Sequence, residues 1–230
     1  MIAFESVSHR FGDALVLDEV SLDLTEQRVA IIGANGSGKS TLIRMINGLV
    51  TPTEGRVVVE GLDPARQGPA VRRLVSFLFS DPDAQIVMPT VAEDVAFSLR
   101  RHRLGAAETA ARVQSALARM GIADLADRPA HSLSSGQKQL LAMAAILVTQ
   151  PRILVCDEPT TLLDLSNTRR LLGIIDDLDQ QVILVTHDLS VAQGWGRVIV
   201  LQAGRVHFDG PGVAAVAAYR RLHDPDRADR

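Results

Sequence analysis

The run Gly33-Ala34-Asn35-Gly36-Ser37-Gly38-Lys39-Ser40-Thr41 constrains this 230-residue chain more than any other stretch. It fits the phosphate-loop pattern G-x-x-x-x-G-K-[ST], with Gly33 and Gly38 at the glycine positions. The apolar run Val29-Ala30-Ile31-Ile32 before it predicts a buried strand. The run from Thr41 to Gly48 predicts a helix closed by Gly48. A tight loop between strand and helix presents successive N–H groups as a concave nest for phosphate oxygens. Glycines let the backbone approach closely, and the helix N-terminus adds a favourable dipole. In such a loop Lys39 reaches the β- and γ-phosphates and the Ser40 hydroxyl ligates Mg²⁺. Asn35, Gly36, Gly38, Lys39, Ser40 and Thr41 are therefore candidate contacts for a nucleoside triphosphate.

Composition narrows what surrounds the loop. Apolar residues make up 47% and charged residues 22%, as in a soluble globular protein with an ample core. Aromatics are only 3%, so that core is built from Leu, Val, Ile and Ala. The net charge of −3 argues against a nucleic-acid partner, which calls for a basic face. The single cysteine, Cys156, forms no internal disulfide, and its apolar strand marks it as a small core residue. Charged and polar residues begin at Glu5, against a signal peptide. No run approaches the ~20 apolar residues that span a membrane, so a membrane role is expected to come through a partner.

Along the chain, residues 1–8 and 15–24 alternate apolar and polar as half-buried strands do, with a turn over His9–Asp13. Val57–Val59 is another strand, and Leu74 to Phe79 a further apolar run ended by Asp81-Pro82-Asp83. Residues 93–121 and 138–149 carry helical patterning, the second stopped by Pro151. Strands return at Ile153–Cys156, Val182–Thr186, Val198–Leu201 and Val206–Phe208, with a helix at Thr168–Leu178. A mostly helical insert, residues 81–148, thus interrupts an α/β unit formed by 1–80 and 149–212. Residues 213–230 read as a C-terminal tail, polar and frayed from His223.

Three further stretches carry chemistry. Ile153 to Cys156 is apolar throughout, as strands buried in parallel sheets are, and it ends in Asp157 and Glu158. Ligands in such sheets sit at the carboxyl ends of strands. Asp157 is placed to hold Mg²⁺, and Glu158 to orient or deprotonate an attacking water. The alternative is a strand meeting a polar turn. His187 follows a second apolar strand and can touch a γ-phosphate, although a lone histidine is more often a surface residue. Leu133-Ser134-Ser135-Gly136-Gln137 opens the 138–149 helix as a second anion-binding helix start, or as a simple N-cap.

Taken together, these residues resemble the nucleotide-binding subunits of ABC transporters over residues 1 to about 212. The resemblance implies an α/β P-loop NTPase (RecA-like) core with an N-terminal antiparallel β subdomain and an inserted helical signature subdomain. It makes Gly33–Thr41 the Walker A loop and Ile153–Glu158 Walker B, with Glu158 and the switch histidine His187 catalytic. Ser134, Ser135, Gly136 and Gln137 become the signature, Asp164 the end of the D-loop, and Phe11 an aromatic stacked on adenine. It implies ATP and Mg²⁺ as cofactors. The implied partners are a second ATPase subunit, identical or paralogous, a transmembrane coupling protein and a membrane substrate-binding component. The implied location is peripheral, on the cytoplasmic face of the cell membrane.

Phe79–Gln85 and Pro89–Phe97 resemble a segment of energy-coupling-factor importers, and the short chain is more similar to their biotin-transporter ATPases than to the longer cobalt or nickel ones. Ser80 stands where that segment commonly has a glutamine, so either Gln85 substitutes as a magnesium contact or a water fills the gap. Ser135 replaces the commoner glycine, and Thr161-Leu162-Leu163-Asp164 replaces a small-residue D-loop. The same cassette serves exporters and soluble DNA-repair or translation ATPases. Against the DNA-repair reading, fewer than a hundred residues separate Lys39 from Ser134, with no sustained heptads.

Overall fold

The computed structural model of the protein describes residues 1–223, so most of the predicted frayed tail lies outside the described residues. The chain divides into two compact units, Met1–Val75 with Gln180–Arg230, and Ser76–Asp179.

In the first unit, β1 (Ile2–Phe11) and β2 (Ala14–Leu24) form a hairpin, and β4 (Glu54–Val59) pairs antiparallel with the other edge of β1. The expected turn over His9–Asp13 is shorter than the sequence suggests. The strands run on until Phe11 opposes Ala14, and only Gly12 and Asp13 remain in the loop. Gly12 has φ +58°, the left-handed conformation that a two-residue hairpin loop needs and glycine supplies.

The second layer of this unit is parallel at its centre. Strand β3 (Arg28–Ile32) lies between β7 (Gln181–Val185) and β8 (Arg197–Gln202), and β9 (Arg205–Gly210) closes that edge antiparallel. Val29, Ala30, Ile31 and Ile32 are fully buried, which explains a strand with no polar alternation. Each of its larger side chains contributes about 1.5–3 kcal/mol by leaving water. Helices α1 (Lys39–Ile46), α2 (Pro64–Leu74), α7 (Leu189–Gln193) and α8 (Gly212–Leu222) complete the unit. Sequence patterning missed α2, because Gly68 and Pro69 interrupt it. The helix survives with non-helical backbone at Gln67 and an Asp63 cap that accepts from Ala65 N–H.

The second unit begins with β5 (Val75–Leu78), which neighbours β6 (Ile153–Asp157). Around them stand α3 (Val91–Ser98), α4 (Ala106–Arg119), α5 (Ser135–Leu147) and α6 (Leu165–Asp176). The predicted helical stretch 93–121 is two helices, broken by a 3₁₀ turn at Arg100–His102 and a left-handed Arg103. Helix α5 buries nine of its thirteen residues and is apolar nearly all round, the pattern of a helix enclosed by others. Among the described residues no helix is long and apolar enough to cross a membrane.

Candidate functional site

The phosphate loop joins β3 to α1 in the first unit, as its flanking sequence predicts. Gly36 and Gly38 take φ +79° and +100°, where a side chain is strained. A Cβ on Gly38 would lie 2.8 Å from both the Val16 carbonyl oxygen and Leu17 Cδ2, and one on Gly33 would lie 2.2 Å from the Leu201 oxygen. The loop is thus seated against β2 and β8, and Gly204 N–H donates to the Ser37 carbonyl at 3.1 Å. Asn35 and Gly36 are exposed at its crest, whereas Lys39 is only 5% exposed. Lys39 Nζ donates to the carbonyls of Gly33 (2.8 Å) and Ala34 (2.9 Å), which lays the ammonium across the inside of the loop. Helix α1 opens on Gly38 with no side-chain cap and no acidic residue in its first turn, which leaves its N-terminal dipole for an anion. Ser40 and Thr41 are half-buried in that turn.

Two further candidates belong to this unit. Val185 at the end of β7 pairs with Ile31 of β3, and Thr186 N–H donates to the Ile31 carbonyl at 3.2 Å. His187, two residues beyond Val185, therefore leaves the sheet at the edge where Gly33 begins the loop, and it is exposed. Asp188 caps α7 by accepting from Ser190 N–H (2.8 Å) and Oγ–H (2.6 Å), and these bonds hold its carboxyl below the usual carboxylate range. Phe11 is 57% exposed at the end of β1, edge-on to His9 with ring centroids 4.5 Å apart. An aromatic face left in solvent can stack on a base.

The second unit carries the acids and the 133–137 motif. Asp157 ends β6 and is 4% exposed. Glu158 follows at φ +49°, a conformation costing a non-glycine residue about 1–2 kcal/mol, with Thr161 Oγ donating to its carbonyl at 3.1 Å and to its carboxylate at 3.3 Å. Strain of this kind collects where geometry serves chemistry. Burial raises the neighbouring Cys156 thiol well above the ordinary thiol range, which keeps it inert.

Ser134 and Gln137 form a reciprocal capping box at the start of α5: Gln137 N–H donates to Ser134 Oγ at 3.3 Å and Ser134 N–H to Gln137 Oε1 at 3.0 Å. The N–H groups of Ser135 and Gly136 have no partner among the described residues, so two aligned donors remain at a helix N-terminus. Asp164 accepts from Asn167 N–H (2.8 Å) and Nδ2–H (3.0 Å), capping α6, and the Asn167 side chain lies where a Cβ on Gly136 would be, 2.5 Å away. The structure thereby brings Gly136 and Asp164 together through a residue that sequence reasoning missed.

Gln85, a candidate magnesium contact, spends both ends of its amide on backbone: Nε2 donates to the Phe77 carbonyl at 3.2 Å and Oε1 accepts from Phe79 N–H at 3.4 Å. Three more polar residues that the sequence did not single out hold the same segment. Lys138 pairs with both oxygens of Asp83 at 2.7 and 2.9 Å. Gln139, 1% exposed, donates to the Phe79 carbonyl at 3.0 Å. Asp94, 3% exposed, accepts from the N–H groups of Val87 and Met88 at 2.8 and 3.0 Å. Polar residues on otherwise apolar helix faces were the only available signal.

Among the described residues no group of three His, Cys, Asp or Glu side chains could hold a metal ion alone. Magnesium keeps most of its waters and takes one or two protein oxygens plus phosphate oxygens, and the Ser40 hydroxyl and the Asp157 carboxylate are oxygen donors of that kind. Strand, glycine loop, buried lysine and uncapped helix together define a P-loop nucleoside triphosphatase. The chain belongs to the ABC transporter family, whose pattern matches residues 17–161. Members bind ATP with Mg²⁺ and couple its hydrolysis to transport.

An ABC transporter ATP-binding protein of Deinococcus radiodurans, described without a cargo, is 46% identical over 96% of this chain and 97% of its own length. The biotin transport ATP-binding protein BioM of Rhizobium etli is 45% identical over 96% of this chain and 98% of its own. Among solved structures, cbiO1 of Clostridium perfringens, part of the ABC transporter complex cbiONQ, is similar with TM-score 0.83 and 32% identity, covering 96% of this chain and 92% of that one. The dimeric ATP-binding cassette MJ0796 bound to ADP and Pi has TM-score 0.81 and 28% identity, covering 92% and 98%.

Proposed function

We propose that this chain is the ATP-hydrolysing subunit of an energy-coupling-factor importer whose cargo is biotin. The observation that carries this reading is the 45% identity to BioM across nearly the whole of both chains. The likeness to cbiO1, part of the ABC transporter complex cbiONQ, supports the class more than the cargo.

In this reading the loop Gly33–Thr41 cradles the phosphates, with Asn35, Gly36, Gly38 and Thr41 contributing backbone and Lys39 its charge. Phe11 stacks on adenine. Ser40 and Asp157 hold Mg²⁺, which when bound neutralises phosphate charge; Gln85, with its amide engaged, serves as a clamp on the 77–85 turn. Glu158 orients and deprotonates the attacking water, and His187 touches the γ-phosphate. Two protomers face head to tail, so that the paired N–H donors at Ser135 and Gly136 of one meet the ATP held by its partner, with Ser134, Gln137 and Asp164 shaping that surface. The MJ0796 cassette, dimeric with ADP and Pi, supports such an arrangement. ATP closes the dimer and hydrolysis releases it, and the movement reaches a transmembrane coupling protein docked near residues 80–97. The chain then works peripherally at the cytoplasmic face of the cell membrane, beside a separate membrane component that binds the cargo.

The test is purification of the chain with its membrane partners, followed by uptake of radiolabelled biotin and of cobalt ions into proteoliposomes. ATP-dependent biotin accumulation that vanishes in Lys39→Ala is the expected result. Accumulation of cobalt alone would reassign the cargo, and recovery with ribosomes or DNA instead of membrane proteins would overturn the importer reading.

A further inference from the structure

We propose that the turn Arg100–Arg103, with Phe97 beside it, is a contact for the anionic headgroups of a lipid surface. The turn follows α3 directly. Leu99, 2% exposed, anchors it, and His102 N–H closes it by donating to the Leu99 carbonyl at 2.9 Å. Arg100, Arg101, His102 and Arg103 are all exposed. The guanidinium carbon of Arg100 lies 5.3 Å from the centre of the Phe97 ring, itself 40% exposed.

Three features separate this turn from an ordinary solvated charge run. The first is the lack of counter-charge. Arg101 and Arg103 have no ion pair among the described residues, and Arg100 has only the Phe97 ring. The carboxylates of the two flanking helices are engaged elsewhere: Glu93 with Thr90, Asp94 with the backbone of Val87 and Met88, and Glu108 with Arg112. The second is conformation. Arg103 sits at φ +53°, and this left-handed residue ends the 3₁₀ turn Arg100–His102, which confines the three arginines to one short exposed turn. The third is contrast. The whole chain carries −3, so an anionic surface repels it on average, and a local cluster of three unpaired arginines supplies an attractive, orienting face.

The chemistry that matches is a plane of phosphates. Guanidinium groups bind phosphate oxygens through paired N–H donors. Basic groups near an anionic leaflet each add attraction that fades within a Debye length, and an aromatic ring beside them settles at the headgroup level. The inference goes beyond the transporter reading, and its test is independent of it.

The full chain is sedimented with vesicles of phosphatidylcholine alone and of phosphatidylcholine mixed with phosphatidylglycerol, at low and at high salt. The expected result is binding to the anionic vesicles only, lost at high salt. In the triple variant Arg100→Gln, Arg101→Gln, Arg103→Gln the partition constant is expected to fall by about a hundredfold, from three charges. The corresponding triple Lys variant is expected to keep most of it, and unchanged ATP binding in both shows that the fold is intact. Equal sedimentation of wild type and the Gln variant overturns the proposal. So does equal binding to phosphatidylcholine alone. Retention on immobilised polyglutamate without any vesicle binding also overturns it, and assigns the turn to an acidic protein segment. Failure of ATP binding in the wild type would count against the transporter reading and leave the vesicle result standing.

Discussion

Glu158 shows how one residue can be held at a cost. Its left-handed backbone follows directly on the buried end of β6, and glycine would sit there without strain. Glu158→Gly is therefore expected to raise stability by about 1 kcal/mol in a denaturant melt while removing hydrolysis. Loss of stability in that variant would mean that the Thr161 bonds outweigh the strain. Lys39 has the opposite economy. Its ammonium is buried against two loop carbonyls, so Lys39→Ala is expected to reduce triphosphate affinity strongly, read by titration with a fluorescent ATP analogue. Unchanged affinity would count against the loop as the binding site.

At the scale of elements, α5 does two jobs. Its N-terminus offers the Ser135 and Gly136 donors, and one turn later Lys138 and Gln139 hold the 79–85 turn. A helix is stiff, so a displacement at its start carries to that turn. Because Lys138 is 17% exposed and Asp83 64%, their pair is worth at most about 1 kcal/mol of stability. Its removal should therefore be felt in coupling more than in folding. Lys138→Ala and Asp83→Ala are each expected to leave ATP binding and melting nearly unchanged and to reduce ATP-induced protection of residues 79–88 in hydrogen exchange. The exchange of charges in Lys138→Asp with Asp83→Lys is expected to restore it. Equal protection in all variants would show the pair to be a surface ion pair only. Gly136 is a second sensitive point. A side chain there must displace Asn167, which Asp164 holds, so Gly136→Ala is expected to loosen the cap of α6.

For the whole molecule, the decisive property is association. The proposed site is shared by two protomers, so a chain that binds ATP without hydrolysing it is expected to accumulate as a dimer. Glu158→Gln is expected to elute as a dimer from size exclusion with ATP and Mg²⁺, and as a monomer after chelation of the metal. Near-normal turnover in this variant would remove Glu158 from its role, and a monomer under all conditions would argue for a paralogous partner in place of a second copy.

The phosphate loop, the acid-ended strand and the 133–137 helix start were legible in the sequence because each is local: a few consecutive residues fix backbone geometry, and the chemistry follows from their types. Strands β3, β6, β7 and β8 were legible for a related reason, since strands buried on both faces are apolar throughout. Helix α2 was hidden by Gly68-Pro69, where tertiary packing overrides local propensity. The sequence alone determined that this chain binds a nucleoside triphosphate and broadly how its elements are ordered. Only the tertiary structure decided that Gln85 is bound by backbone, that Asn167 joins Gly136 to Asp164, that Glu158 is strained and that Arg101 and Arg103 have no carboxylate partner among the described residues. The physical reason is that partners distant in the chain, and the backbone angles that packing imposes, leave no mark in the residues beside them.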